Sequence, residues 1–324
     1  MIVPRTAAPR HPIRAGVTIW PQVGSWQQIR EAAIAADRAG LDAVWTWDHL
    51  YPIVGDPHGS IFEGWSTLGS WAEITEHVSL GLMVGANTFR NPGVVAKAAV
   101  TIDHASHGRA WLGLGGAWFE PEHQAFGIDF GSGPGERLNR LEASVGAIRR
   151  MLGGEAVTMP DGGPYRLDQA VVRPLPYRGA GRLPIMIGGS GEQKTLRTVA
   201  RHADGWNANG AVDVLRRKAG ILAEHCAEVG RDIADIEFTF TRQCVIRDDV
   251  QEAARVLKAV QAANGRAYEP SADVDFIGPP ALIAERWRSY LALGFTHLVI
   301  ELPAPYDRET IERLAEVRDL VARG

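Results

Sequence analysis

Cysteine is nearly absent: the 324 residues hold two, Cys226 and Cys244, in no C-x-x-C pair and beside no histidine cluster. That usage excludes a disulfide scaffold, points to no metal site, and suits a reducing cytoplasm. Long apolar runs are missing too. None reaches the roughly 18 residues that cross a bilayer, so no membrane span is expected. Charge of one sign is not in excess: the formal net charge of −4 offers no basic footprint for nucleic acid. The first residues, with Pro4, Arg5, Pro9, Arg10 and Pro12, lack the apolar segment of a secretory signal, and residues 1–14 are expected to form a flexible tail. No G-x-S-x-G elbow, Walker sequence or H-E-x-x-H occurs, which weighs against hydrolase and NTPase chemistry.

What is present is a 45% hydrophobic content, enough for one large α/β domain or two smaller ones. Short apolar runs alternate with helical patterns. Strands are predicted over 16–20, 43–47, 79–84, 110–114, 184–187, 204–207, 236–240 and 296–301. Between them, Ser25 to Gln28 has the S-x-x-Q form of a capping box, Gly40 stops a helix, and Pro92 suits a first helical turn. Leu138, Leu141, Val145, Ile148 and Leu152 mark an amphipathic helix over 136–152. Glycines and prolines interrupt the rhythm over 153–181, which predicts a hairpin-like excursion after the fourth βα unit. Eight such units amount to a (β/α)8 barrel over residues 15–324. A doubly wound open sheet is the competing architecture, but no G-x-G-x-x-G turn follows the first strand.

In a barrel the chemistry sits at the C-terminal ends of the strands. Gly188-Gly189-Ser190-Gly191-Glu192-Gln193-Lys194 follows the fifth strand and opens a helix. Glycines admit close backbone approach, and a helix's first N–H groups suit an anion such as a phosphate, to which Lys194 would add charge. Taken alone, the stretch fits a phosphate cradle and a bare turn equally. His49, after Asp48 at the end of the second strand, is the candidate for hydrogen bonding or proton exchange; the bland alternative pairs it with Asp48 as a strand cap. Trp20, Trp47, Trp118 and Trp206 would line the rim for a flat conjugated ligand, or pack in the core. Glu120, Glu122 and His123 lie within four residues on what reads as a loop, and a solvated face is expected there rather than a metal cluster.

Several stretches in order resemble one family: 42–49 with Asp48 and His49, Asn87 to Pro92 with Ala96 and Lys97, 109–118 with Phe126-Gly127, Glu136-Arg137-Leu138 through Glu142, 184–191 with 203–206, and Gly278. The family is the bacterial luciferase-like superfamily, in its branch of F420-dependent oxidoreductases. The resemblance implies a (β/α)8 barrel, a deazaflavin or flavin on the C-terminal rim, a small-molecule substrate and a homodimer. It places His49 beside the reactive ring. It implies a bulge at the end of the third strand, often with a non-prolyl cis peptide, where Val84, Gly85 and Ala86 support the ring's back face. Asn87 would contact the ring or ribityl chain, Gly115, Trp118 and Trp206 would lie close by, and Gly188, Gly189, Ser190, Gly191 and Lys194 would hold the phosphate. Two departures stand out. Ala117 replaces the third glycine of the usual G-x-G-x-G-W turn. Trp118 and Ile53 stand where related sugar-phosphate dehydrogenases have a glutamate and a tryptophan, which weighs against a sugar phosphate. The resulting expectation is hydride transfer between coenzyme F420 and an unsaturated or carbonyl-type substrate. The alternatives are an FMN-dependent monooxygenase of the same superfamily and a non-catalytic flavin-binding protein. Substrate choice falls to residues 50–64, 120–134 and the segment after Phe240.

Overall fold

The computed structural model describes residues 10–160, 162–272 and 274–324. β1 (Arg14–Ile19) leads into α1 (Trp26–Arg38) through the expected capping box. The Ser25 hydroxyl accepts from the Gln28 N–H at 3.3 Å, and Gln28 Oε1 accepts from the Ser25 N–H at 2.9 Å. Gly40, at φ +72, turns the chain out of α1 into β2 (Ala43–Thr46). α2 (Gly64–Ile74), capped by the Glu63 carboxylate, precedes β3 (Ser79–Leu82), which breaks at Met83 and Val84 and resumes as β4 (Gly85–Ala86). Pro92 opens α3 (Pro92–Ala105), and β5 (Ala110–Gly115) follows. The next connection carries α4 (Glu120–Phe126) and α5 (Pro134–Leu152). The predicted excursion is an antiparallel hairpin of β6 (Val157–Met159) and β7 (Leu167–Ala170). Then come β8 (Ile185–Gly188), α6 (Thr195–His202), β9 (Gly205–Ala208) and α7 (Val212–Glu228). The chain ends with β10 (Glu237–Ile246), α8 (Val250–Ala263), β11 (Phe276–Gly278), α9 (Pro280–Leu291), β12 (Phe295–Leu302) and α10 (Arg308–Ala322).

Among the described residues, eight parallel strands close a barrel in the order β1, β2, β3, β5, β8, β9, β10, β12, with β12 pairing back to β1. Closure rules out the open doubly wound sheet. Each strand is buried on both sides, which is why the strand runs read as apolar. β10 runs past the predicted end at Phe240 to Ile246 because its outer end pairs with β11. Among the described residues no helix is long and apolar enough to cross a membrane.

The expected tail over 1–14 needs correction at its C-terminal end. Residues 1–9 lie outside the described residues. From Arg10 the chain is held: its guanidinium pairs with Asp232 at 2.8 Å and Asp235 at 2.9 Å, the His11 ring meets the Ala234 carbonyl, and Arg14 already belongs to β1.

Candidate active site

The break between β3 and β4 shapes the rim. Gly113 has no side chain because the Leu82 carbonyl fills the place where its Cβ would stand, so the chain can bulge across β5. The bulge presents Val84, and the Met83–Val84 peptide is cis, at the end of the third barrel strand where the resemblance implies such a bond. A Cβ on Gly115 or on Gly188 would lie 2.7 Å from a Val84 methyl, so these glycines make room for that one side chain. Asp48 fastens the bulge: its Oδ2 accepts from the Ala86 N–H at 3.0 Å and from Arg90 at 2.7 Å, and Arg90 also reaches Glu63. Burial lifts the Asp48 carboxyl above the ordinary carboxylate range, against the pull of Arg90 and the Ala86 N–H.

A cleft of about 650 Å³ opens above Val84. Among the predicted residues, Asp48, His49, Val84, Gly85, Ala86, Gly115, Trp118, Gly188, Gly189 and Gly191 line it. Trp118 is 61% exposed at the mouth, with its ring edge-on to His49 at 5.7 Å. Ala117 keeps φ +59, the left-handed backbone of the glycine it replaces, at a cost of about 1 kcal/mol.

Four predicted contacts fall elsewhere. Asn87 is buried behind the bulge, its N–H donating to the Gly115 carbonyl, its own carbonyl accepting from the Tyr165 hydroxyl and its Nδ2 without a partner among the described residues. Trp206 is fully buried against Phe238 and Phe295, and its indole N–H donates to the Gly189 carbonyl at 2.8 Å. It braces the glycine turn from behind rather than facing a ligand, because strand residues alternate and this one points outward. Lys194 donates to the Gly135 carbonyl at 2.9 Å and to Asn139 Oδ1 at 2.7 Å, so it ties the turn to α5. Ser190 does not line the cleft; its carbonyl accepts from Lys218 at 2.6 Å.

The solvated face expected at Glu120, Glu122 and His123 is a further correction. These residues form α4, and its inner side is buried. Glu122, 1% exposed, accepts from His49 Nδ1 at 2.9 Å and from the Leu50 N–H at 2.8 Å. An ionised carboxylate only accepts, so Nδ1 carries the proton and Nε2 is left to meet a ligand. His49 is therefore paired with Glu122 and not with Asp48. His123 is spent on Thr88 and on the Phe119 carbonyl. Among the described residues, no three His, Cys, Asp or Glu side chains converge as a metal site.

Arg137 escapes the sequence reading, and Glu301, one of the strand-end residues that reading places on the rim, is given no role by it. Arg137, in the first turn of α5, lines the cleft beside the glycine turn and is 7% exposed. Its guanidinium sits 3.8 Å over the Phe130 ring, and among the described residues no carboxylate pairs with it. Glu301, at the end of β12, closes the opposite wall. An amphipathic-helix pattern marked α5 but could not say which of its residues turns toward the rim.

The geometry defines a barrel with a rim cleft suited to a flat ring above Val84 and an anion between Gly189, Gly191 and Arg137. Residues 10–297 match the family model described as luciferase-like monooxygenase, and the chain belongs to that family of enzymes. It is 30% identical to an F420-dependent glucose-6-phosphate dehydrogenase of Nakamurella multipartita, over 97% of this chain and 99% of that one. Its fold is similar to that of the coenzyme F420-dependent tetrahydromethanopterin reductase of Methanopyrus kandleri, with a TM-score of 0.78 at 19% identity over 97% and 99% of the two chains. The FMN-bound oxygenating constituent of 3,6-diketocamphane monooxygenase from Pseudomonas putida gives a TM-score of 0.73 at 16% identity, over 95% of this chain and 98% of that one.

Proposed function

We propose that this protein is a coenzyme F420-dependent oxidoreductase that moves a hydride between the deazaflavin and an unsaturated or carbonyl-bearing small molecule. The observation that carries this reading is one continuous cleft with three different parts. It has the Val84 bulge as a floor, the His49–Glu122 pair on one wall, and, next to a glycine turn, a buried guanidinium that no carboxylate among the described residues pairs with. The fit to the cofactor is physical. Gly189, at φ +116, holds a backbone that a side chain would strain, and it lines the same cleft as Arg137. A buried cation without a counter-ion is costly, and a phosphate supplies the missing charge. The names of relatives such as the Nakamurella enzyme favour F420 over FMN.

When bound, the deazaflavin would supply the hydride. The chain's own residues do the rest. Val84 supports the ring, Arg137 with the glycine turn anchors the phosphate, and Glu122 fixes the His49 tautomer so that Nε2 faces the cleft. Ile53 and Trp118 make the mouth apolar, which favours a less polar substrate than a sugar phosphate.

Fluorescence titration of the purified chain with F420 and, separately, with FMN tests the reading. Binding of F420 at about micromolar Kd, with FMN at least about tenfold weaker, is the expected result. Tight FMN binding with negligible F420 affinity would overturn it in favour of the monooxygenase reading.

A further inference from the structure

Three carboxyl side chains line the cleft, and two are already committed. Asp48 is tied to Arg90 and the bulge, and both Glu122 oxygens are taken by His49 and the Leu50 N–H. Glu301 differs. Its Oε2 accepts from the Trp20 indole N–H, no hydrogen bond among the described residues engages Oε1, and the side chain lines the cleft. The carboxyl is held firmly all the same. Trp20 packs against Trp47 with ring centroids 4.5 Å apart and planes tilted by 39°, so the end of β12 is linked through the end of β1 to the segment after β2 that carries His49.

We propose that the Glu301 carboxyl is the proton donor to the substrate, acting from the wall formed by β12 and β1 while His49 acts from the wall formed by β2. This rests on the reading of the cleft as a hydride-transfer site. When a substrate carbonyl accepts a hydride at carbon, its C=O π bond opens and the electron pair moves to oxygen. The Glu301 O–H bond then breaks, the proton passes to that oxygen, and the bonding electrons remain on the carboxylate. Solvent entering the cleft restores the proton. The two electrons of the reduction come with the hydride from reduced F420.

The surroundings fit a carboxyl that is protonated near neutrality. Thr18 and Gln243, its register partners on β1 and β10, are uncharged, as are Trp20, Trp47 and Met83. Among the described residues, Arg266 is the charged group whose field acts on Glu301, and no ion pair joins the two. Withdrawal from bulk water pushes the carboxyl up to about 7, with the Trp20 N–H and Arg266 pulling the other way. A donor is most effective when it titrates near the working pH.

The first test needs no turnover. Infrared difference spectra of the apoprotein across neutral pH should show the C=O stretch of a protonated carboxyl, which Glu301→Gln removes and Glu301→Asp retains. Glutamine preserves an acceptor for Trp20, so the fold is not at stake. The second test uses benzoate with F420 present, its carboxylate standing in for the developing oxyanion. Affinity should fall about tenfold per pH unit above neutrality in the native chain and stay flat in Glu301→Gln. An unchanged infrared band in Glu301→Gln, or benzoate binding with the same pH dependence in both proteins, would overturn the proposal. Failure of F420 to bind while the band behaves as expected sinks the cofactor reading instead, and the two failures are thereby told apart.

Discussion

His49 does its work only if its ring cannot turn, and the residue that stops it lies 73 positions away in sequence. Glu122 spends one oxygen on Nδ1 and the other on the Leu50 N–H, so the imidazole and the backbone that carries it are gripped by the same carboxylate. A glutamine there has one acceptor oxygen for two donors, and either the ring or the backbone is released. Two groups that act as a unit should not give additive losses. We expect His49→Ala and Glu122→Gln each to lower kcat/KM by about 10²-fold, and the double variant to lose little more than the worse single change. Additive losses in that double-mutant cycle would mean that Glu122 acts independently of His49. The same logic explains what was legible in advance. His49 could be found from its own neighbours, at the end of a strand beside Asp48. Glu122 looked solvated because nothing local revealed that α4 turns its inner side to the barrel. Arg137 was hidden for the same reason, and Glu301, visible as a strand-end residue, could be given no role: their meaning depends on partners that the fold, not the adjacent sequence, supplies.

At the scale of elements, the rim is built from pairs of small and large residues across neighbouring strands. Val84 on the β3 bulge occupies the space that Gly115 on β5 and Gly188 on β8 leave empty. Gly188 does not sit in the left-handed region, so an alanine there is tolerated by the backbone and tests packing alone. Its Cβ would lie 2.7 and 2.8 Å from the two Val84 methyls. Gly188→Ala should therefore push Val84 toward the cleft, weaken F420 binding about tenfold or more, and cost about 1–3 kcal/mol of stability. Adding Val84→Ala should restore most of the affinity, as read in the same fluorescence titration. Full affinity in Gly188→Ala, or no recovery in the double variant, would remove Val84 as the floor of the site. All eight barrel strands were visible as apolar runs punctuated by glycines, because parallel strands buried on both sides carry that signature. The same feature hid their facing. A fully apolar strand does not say which side chains look inward, and so Trp206 was placed at the ligand while the structure puts it behind the turn; Asn87, placed there by the family resemblance, is buried and does not line the cleft.

Taken as a whole, the barrel separates function from stability along its axis. The cleft lies at the C-terminal rim, and at the opposite end Arg14, Glu237 and His297 join β1, β10 and β12. Arg14 reaches Glu237 at 3.2 Å and also the Asp42 carbonyl just before β2 and Ser79 in β3, while His297 donates from Nδ1 to Glu237 at 2.7 Å. Burial alone would raise the Glu237 carboxyl, but the hydrogen bond from His297 and the charges of His297 and Arg14 outweigh it and hold it at about 2, against an ordinary 4.5. Burial and Arg14 push the His297 imidazole below its ordinary 6.5, with Glu237 opposing. Both depressed groups act in the same direction. The unfolded chain takes up the proton first, so stability is complete above the unfolded values and is lost as pH falls. Loss should begin below 6.5 through His297 and continue between 4.5 and about 2 through Glu237, the second part amounting to about 3 kcal/mol. Urea unfolding at a series of pH values checks this. Glu237→Gln should be less stable than the native chain at neutral pH, since it leaves Arg14 without its carboxylate, and its stability should fall by about 3 kcal/mol less between 4.5 and 2. Parallel acid profiles for the two proteins would show that this cluster does not close the barrel's lower end.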